Sequence, residues 1–572
     1  MNDLEQPPEP RDETGIDLPP GLEQEPPPTR ERADEDERGR RRWLSAGTLG
    51  PLLLVVLMVV AGLFAAITVT PGPDEEALAR PSGSDVVLAG GAPVSWDPAA
   101  ISDATSAQML SQVYEGLTAL DADSRLQPAL AESWTVSQEG RRITFNLRPD
   151  ITFSDGTAIS AEDVRRSWLR VIDPRQPSPL SSLLDDVAGA AAYARGEGSE
   201  EDVGISADGQ TLSVEFERPA SYFPAVTAVP TLAVVPASIE DQRGGPEEGR
   251  VFTASGAYVP VSQGSGELRL SANDAYWAGP PSIESVVVIT DDGGRSSVDI
   301  FEDEAVDWTS ISAADASWIR YDRRLGPQLR RSEEMVVDLM GFDTTRPPFD
   351  DPRARRAVAM AVDWRRLGRL ARLDGEPATS LVPPGIAARG SEDYVLPHDP
   401  DAARAELAAA GYPGGAGFPA VALATYGIGE TSAIAADLER ELGIDVAVER
   451  RPFEQHAALL EADIPALWTL SWSADYPHAH DFLGLLLRSG SSANAGGWSN
   501  AAYDELIDRA AATADLAEQE RLYGEAQQII RDDVPLIPLS YGGTWSLSRD
   551  GLRGANVSGT GTLRYADLAW KR

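Results

Sequence analysis

The chain has 572 residues, which at roughly 150 residues per domain is too long for one hydrophobic core and predicts about three or four folded units. Asp and Glu outnumber Lys and Arg by 90 to 49, and the net charge of -41 excludes broad nucleic-acid binding, which needs a basic face. Because the chain has no cysteine, disulfides, thiolate zinc sites, iron–sulfur clusters, a cysteine nucleophile and an acylated lipoprotein cysteine are excluded.

The N-terminal segment, residues 1–42, has the composition of a disordered tail. It is rich in proline, acidic residues and arginine, with almost no large apolar side chains, so it cannot bury enough surface to fold. It ends in a cluster of arginines at positions 38–42. We therefore expect a disordered cytoplasmic tail here.

The next segment, residues 43–70, carries no charge and predicts a transmembrane signal anchor. About 20 apolar residues span a bilayer as a helix, and Leu49 to Val69 supply 21. Basic residues precede the segment and acidic residues follow it, which places the N-terminus in the cytoplasm and the remaining chain outside. A signal peptide cleaved near residues 66–70 and a buried core helix are the alternatives.

Residues 71–83 form a linker rich in Pro, Gly and acidic residues, after which the pattern is globular to the end. Strands and helices mix without strict alternation, which indicates an α/β protein with more than one sheet. A capping box of Ser160 and Asp163 marks one helix start, and Gly411 marks one helix end. Strands are predicted at 86–88, 142–147, 286–289, 444–448 and 536–540, and helices at 107–117, 161–171, 354–371, 399–410, 432–442, 501–512 and 516–531.

Sequence motifs of enzymes are missing. We find no phosphate-binding loop, no H-E-x-x-H, no G-x-S-x-G and no complete dinucleotide fingerprint. A short cluster of Asp475, His478, His480 and Asp481 could bind a divalent metal, but a loop of solvated or hydrogen-bonded polar residues is the more ordinary interpretation. We therefore predict no catalytic residues, no metal and no cofactor.

Several tryptophans stand beside polar residues in loop-like sequence, namely Trp277, Trp472 and Trp498. Tryptophan offers apolar area with one polar group, as ligand pockets require. Packing between domains is the alternative for each of them.

A series of ordered blocks resembles the peptide/nickel class (family 5) of solute-binding proteins of ABC transporters, the oligopeptide- and dipeptide-binding type. The resemblance covers about residues 85–555. Its blocks are Val113-Tyr114-Glu115-Gly116-Leu117, Pro128 to Trp134, Thr144 to Arg148, Phe153 to Gly156, Ala161 to Trp168, Ser255 to Tyr258, Asn273 to Trp277, Phe342 to Asp363, Asp399 to Tyr412 and Trp472 to Pro477.

The resemblance implies an α/β, two-lobed clamp of the type II periplasmic-binding-protein kind, with an extra domain on lobe I. Ligand would be enclosed between the lobes and passed to permease subunits of an ABC transporter, without chemistry and from a monomeric ectodomain. The implied boundaries are lobe I at 84–127, 253–345 and 535–572, the extra domain at 128–252, and lobe II at 346–534.

The resemblance also implies the binding residues. Asp475 corresponds to the carboxylate that pairs with a peptide α-ammonium, and Ser471 and Ser473 would supply backbone groups to an extended peptide. The Glu115, Gly116 and Leu117 segment would face them from lobe I. Trp472 and Trp498 would line the cavity.

The chain departs from the family pattern at several positions. Thr469 stands where some relatives have an arginine for the peptide carboxylate, Ala257 replaces a proline, and Asp343 replaces an asparagine. The lysine common in lobe II is absent. Two interpretations therefore stay open: a membrane-anchored receptor for peptides or similar small ligands, and a non-transport clamp that acts as a sensor or a regulatory partner in cell-envelope assembly.

Overall fold

The structure, a computed structural model, describes residues 78, 80–83, 85–137, 139–247, 249–264, 266–371, 376–427 and 430–571. The predicted tail, residues 1–42, and the predicted anchor, residues 43–70, lie outside these ranges. Within the ranges, no helix is long and apolar enough to cross a bilayer.

The described residues form 18 strands and 14 α-helices. The strands are β1 Val86–Ala89, β2 Thr118–Leu120, β3 Leu126–Pro128, β4 Ala131–Val136, β5 Arg142–Leu147, β6 Ile205–Asp208, β7 Thr211–Glu215, β8 Tyr258–Gly264, β9 Glu267–Ala272, β10 Ser285–Ile289, β11 Trp308–Ile311, β12 Leu329–Phe342, β13 Val421–Thr425, β14 Val446–Arg450, β15 Leu467–Ser473, β16 Leu536–Ser548, β17 Leu552–Arg553 and β18 Ala569–Trp570. The helices are α1 Ala104–Val113, α2 Ala161–Val171, α3 Ala190–Ala194, α4 Phe223–Val226, α5 Ser297–Glu302, α6 Ala313–Ile319, α7 Pro352–Ala361, α8 Trp364–Ala371, α9 Pro400–Ala409, α10 Thr431–Leu442, α11 Phe453–Ala462, α12 Ala479–Leu487, α13 Ala501–Ala511 and α14 Leu516–Asp533.

One sheet of ten strands runs through the molecule in the order β14-β13-β15-β12-β16-β11-β1-β10-β9-β8. We call the part around β1 and β8–β11 lobe I, and the part around β13–β15 lobe II. The sequence Val86-Val87-Leu88 is apolar without alternation because β1 lies between two parallel neighbours and both its faces are buried.

The two longest strands, β12 and β16, belong to both lobes. Their antiparallel pairing is interrupted by a register shift between Glu333 and Val337, so each strand serves lobe I on one side of the break and lobe II on the other. Gly542 lies at this crossing, where an added Cβ would come within 2.7 Å of the Cβ of Val336. Close approach of the two backbones therefore requires glycine here.

The extra domain is the four-stranded sheet β4-β5-β7-β6 with helix α2 packed on it. Helix α2 begins as predicted, because the Asp163 carboxylate accepts the Ser160 backbone N–H at 2.9 Å. The hydrophobic core of this domain also contains Tyr476 and Ala511 from lobe II. The extra domain therefore packs against lobe II as well as extending from lobe I.

Three predicted elements differ from the observed ones by a break or by more than two residues at an end. The helix predicted at 354–371 is two helices, because Asp363 accepts the backbone N–H of Arg366 and starts α8 anew. The helix predicted at 107–117 ends at Val113, since Tyr114 is extended. The strand predicted at 536–540 continues to residue 548 as it crosses into lobe I.

Candidate ligand-binding site

A cavity of about 510 Å³ lies between residues of the extra domain and of lobe II, beside their direct contact. Residues 182–187 and 218–226 form one wall, and residues 472–476, 480–493 and 508–511 contribute to the other. Trp472 and Asp475, both predicted to bind ligand, lie in this second wall.

The loop after β15 is organised by a buried carboxylate that sequence reasoning did not single out for this role. Asp481, at the start of α12, is fully buried and accepts the indole N–H of Trp472 at 2.8 Å. Its other oxygen accepts the backbone N–H of Asp475 at 3.2 Å. Burial, and next the nearby Asp475 carboxylate, raise the pKa of Asp481 well above its ordinary value.

Asp475 itself is open to the cavity. Partial loss of hydration inside the cavity raises the pKa of its carboxyl group. No ion-pair partner for Asp475 occurs among the residues that the structure describes. A cationic group that enters the cavity would therefore find a carboxylate in need of a counter-charge.

Apart from Asp185, the other Asp and Arg side chains on the cavity walls are already paired. Arg218 bonds to Asp186 across one wall, and Arg488 donates to Asp508 at 3.0 and 3.2 Å on the other. Asp185, which is exposed, has no ion-pair partner in the described part of the chain. With Asp475 it leaves the cavity with an excess of negative charge.

At its C-terminal end, one edge of β15 is not paired with another strand in the part of the chain that the structure describes. The Ala474 N–H bonds to Met335 O, and this bond sets the alternation of the antiparallel ladder with β12. By that alternation, the N–H and C=O groups of Ser471 and Ser473 point to the opposite edge. Strand β13 already ends at Thr425, so it does not cover this edge.

The Ser471 N–H on that edge donates to the Tyr426 hydroxyl at 3.0 Å. The Ser471 hydroxyl donates to the buried Asp338 carboxylate on β12 at 2.8 Å. The Ser473 side chain is exposed.

The Glu115–Leu117 segment does not share the cavity of Trp472 and Asp475. Glu115 and Gly116 line a different cavity, of about 90 Å³, in lobe I. The Glu115 carboxylate is buried and accepts the Tyr276 hydroxyl at 2.8 Å, with Arg564 at 3.6 Å. Burial raises its pKa, while Arg564 opposes that rise. Leu117 is fully buried in the core of the extra domain.

Trp498 lies in the core of lobe II rather than on a cavity wall. It is 5% exposed and packs edge-on against Tyr503, with ring centroids 5.0 Å apart. Of the eight predicted site residues, the structure therefore brings together Ser471, Trp472, Ser473 and Asp475, and separates the others from them.

A stack of aromatic rings contributes to the lining of the cavity. Tyr222 of the extra domain lies flat on His480 of lobe II, with centroids 3.8 Å apart, and also stacks on Tyr476 at 5.6 Å. The Tyr222 hydroxyl bonds to Asp186, and the Tyr476 hydroxyl bonds to His480 Nδ1 at 2.9 Å. Sequence reasoning missed this contact because its partners lie more than 250 positions apart.

The two histidines considered as metal ligands stabilise the local structure: His480 stacks on Tyr222, and His478 caps a helix. His478 Nδ1 accepts the His480 backbone N–H at 3.1 Å and so caps α12. In the ranges described, no group of three or more His, Cys, Asp or Glu side chains is arranged to bind a metal.

Comparison with known proteins gives consistent matches. The profile of "Bacterial extracellular solute-binding proteins, family 5 Middle" matches residues 125–494. The probable deoxycholate-binding periplasmic protein YgiS of Escherichia coli (strain K12) is 30% identical over 86% of this chain and 93% of its own length. The dipeptide-binding protein DppE of Bacillus subtilis (strain 168) is 26% identical over 84% of this chain and 90% of its own length.

Among solved structures, the unliganded open form of the periplasmic murein tripeptide binding protein MppA superposes with a TM-score of 0.74 at 23% identity. The superposition covers 86% of this chain and 99% of the MppA chain. This likeness confirms the predicted two-lobed α/β fold.

Proposed function

Because the chain belongs to the bacterial extracellular solute-binding proteins of family 5, we propose that it captures peptides or similar small ligands with a free amino terminus and delivers them to an ABC permease. The relatives reported above carry the names of solute-binding proteins. One relative carries the name of a dipeptide-binding protein and another that of a deoxycholate-binding protein. Because these names differ in ligand, the ligand class of this chain has to be inferred from the residues of its own site.

The observation that carries the proposal is the Asp475 carboxylate, open to a negatively charged cavity and without an ion-pair partner among the described residues. A peptide α-ammonium would supply the missing counter-charge. A charge-assisted hydrogen bond of this kind is worth about 1.5–3 kcal/mol. An anionic ligand such as a bile acid would instead be repelled by Asp475 and Asp185.

The free edge of β15 supports an extended peptide as the ligand. The N–H and C=O groups of Ser473 and the C=O group of Ser471 could pair with a peptide backbone as an added strand, which gives affinity with little dependence on side chains. Asp475 follows this edge by two residues. A peptide paired with Ser473 would thus bring its amino terminus to the carboxylate.

The delivery step rests on the predicted anchor and on the hinge. Residues 43–70 would hold the protein at the outer face of the membrane, in place of the missing lipoprotein cysteine. The crossing of β12 and β16 near Val336 and Gly542 is the natural place for lobe closure, because these two strands run through both half-sheets.

Titration calorimetry of the full chain in detergent tests the proposal, with trialanine, N-acetyl-trialanine and deoxycholate as ligands. We expect trialanine to bind and Asp475→Asn to weaken it about tenfold or more, since 1.4 kcal/mol corresponds to tenfold. Binding of the acetylated peptide should not respond to this substitution.

The matched control is Asp401→Asn, whose side chain is 95% exposed on α9 outside the cavity. Equal losses for the free and acetylated peptides would contradict the ammonium role of Asp475. Binding of deoxycholate but not of peptides would refute the peptide assignment.

A further inference from the structure

An exposed aromatic pair lies at the end of α6 in lobe I. Trp318 is 48% exposed and Tyr321 is 82% exposed, which is unusual for large aromatic side chains in this protein. The helix continues into a tight turn, in which the N–H of Tyr321 bonds to Trp318 O and the N–H of Asp322 bonds to Ile319 O. Exposed aromatic groups of this kind mark surfaces that contact a partner or a membrane.

The aromatic pair is embedded in the basic patch, which we define as residues 318–331. The patch contains five arginines and a single acidic residue, in a chain whose net charge is -41. The Asp322 carboxylate is engaged locally, because it accepts the backbone N–H groups of Arg324 and Leu325 at 2.7 and 2.8 Å. Arg324 also pairs with Glu302, whereas Arg323 and Arg330 are exposed.

The N-terminal end of the described chain packs on the same apolar cluster as the patch. Leu78 contacts this cluster, to which Ile319 and Leu325 of the patch also belong. Arg549 lies close enough to interact with both Arg80 and Arg324. Arg80 then forms two hydrogen bonds to the buried Asp307, at 2.9 and 2.8 Å, which fixes the chain at this point.

The tether between this point and the predicted anchor is short. Residues 71–77 separate Leu78 from the segment 43–70, and a fully extended chain of that length reaches about 25 Å at 3.3–3.6 Å per residue. A chain anchored by residues 43–70 thus holds the basic patch within reach of the bilayer surface.

We propose that the basic patch docks on the anionic phospholipid surface next to the protein's own anchor, an inference that rests on the proposed anchor at 43–70. Trp and Tyr prefer the interface between lipid and water, and arginines near an anionic surface add electrostatic attraction. The tether makes the contact intramolecular, so weak docking suffices. Lobe I would then face the membrane.

The absence of native cysteine makes a site-specific test possible. Ala314→Cys places a fluorophore on α6 one helical turn before Trp318 and on the same face. Glu505→Cys on α13 places the control fluorophore on an exposed position of lobe II. The full chain is reconstituted in vesicles of phosphatidylcholine with or without phosphatidylglycerol, and quenching by headgroup nitroxide lipids is measured.

We expect quenching at position 314, but not at 505, in vesicles that contain phosphatidylglycerol. Reversal of two charges, Arg323→Glu with Arg330→Glu, should lower the ratio of docked to undocked protein about tenfold or more. The matched control is Arg365→Glu with Arg369→Glu, since these exposed arginines lie on α8 of lobe II.

Absence of quenching at 314 in a protein that resists carbonate extraction would overturn the docking and leave the anchor intact. Quenching that survives both pure phosphatidylcholine and the charge reversal would overturn recognition of anionic lipid. Release of the protein by carbonate would overturn the anchor, and with it this inference, while peptide binding would stand.

Discussion

Acidification should weaken the contact between the extra domain and lobe II, because two buried histidines resist protonation there. Burial lowers the pKa of His478 to about 4, and burial followed by the nearby His478 lowers the pKa of His480 to about 3. In the unfolded chain both would titrate near 6.5. Below that pH the unfolded state binds protons that the folded state does not, so stability falls as the pH falls.

The size of the destabilisation follows from the difference in histidine pKa between the folded and the unfolded state. One pKa unit corresponds to 1.36 kcal/mol, so lowering the pH from 7 to 5 should destabilise the fold by about 2 kcal/mol per histidine. Asp481 acts in the opposite direction, since its pKa is raised by burial and acid relieves that penalty. A comparison of variants separates the two effects.

The substitution His480→Phe keeps a ring on Tyr222 but cannot titrate. Urea unfolding at pH 7 and pH 5 should show that this variant loses about 2 kcal/mol less than the wild-type chain over this interval, whatever its stability at pH 7. As the control, Val94→Phe adds a ring at an exposed position without removing a titratable group, and it should leave the pH dependence unchanged. If His480→Phe and the wild-type chain lose the same stability on acidification, the burial argument for His480 is wrong.

Two further substitutions test a close backbone contact and a buried ion pair. Gly116→Ala should destabilise the fold by about 1–3 kcal/mol in a urea titration, because the new Cβ would lie 2.3 Å from Thr227 O. The control Gly244→Ala should be nearly neutral in the same titration, because a Cβ at this position meets nothing within 4 Å. Arg80→Ala leaves the Asp307 carboxylate buried with fewer partners and should lower the free energy of unfolding by about 1–3 kcal/mol, and an unchanged midpoint would contradict that role.

The sequence predicted best those features that depend on neighbouring residues. The strand Arg142–Leu147 and the helix Ala161–Val171 have the expected bounds, because period-two alternation and a capping box are local signals. The break at Asp363 was missed because an aspartate inside a helical pattern can cap a new helix or simply face solvent. Only the observed bond to Arg366 decides between them.

The candidate site was predictable in part for the same reason. Ser471, Trp472, Ser473 and Asp475 lie together because they follow one another on a single strand and its loop. Glu115 was assigned to the same site by resemblance, yet in the structure its carboxylate is engaged by Tyr276 and Arg564, which are distant in sequence. No local pattern reports such long-range bonds.

The shared strands β12 and β16 have a consequence for the way this chain can be divided. Each half of the central sheet takes strands from both of them, and lobe I also needs β1, β8–β11 and the C-terminal end of the chain. Neither lobe is therefore a continuous piece of sequence that could be cut out with its own hydrogen bonds satisfied. Proteolysis near Gly542 would cut β16 and remove from lobe I the strand segment that pairs with β11 and β12. Because both lobes depend on these shared strands, we expect the two lobes to fold and unfold together as one cooperative unit.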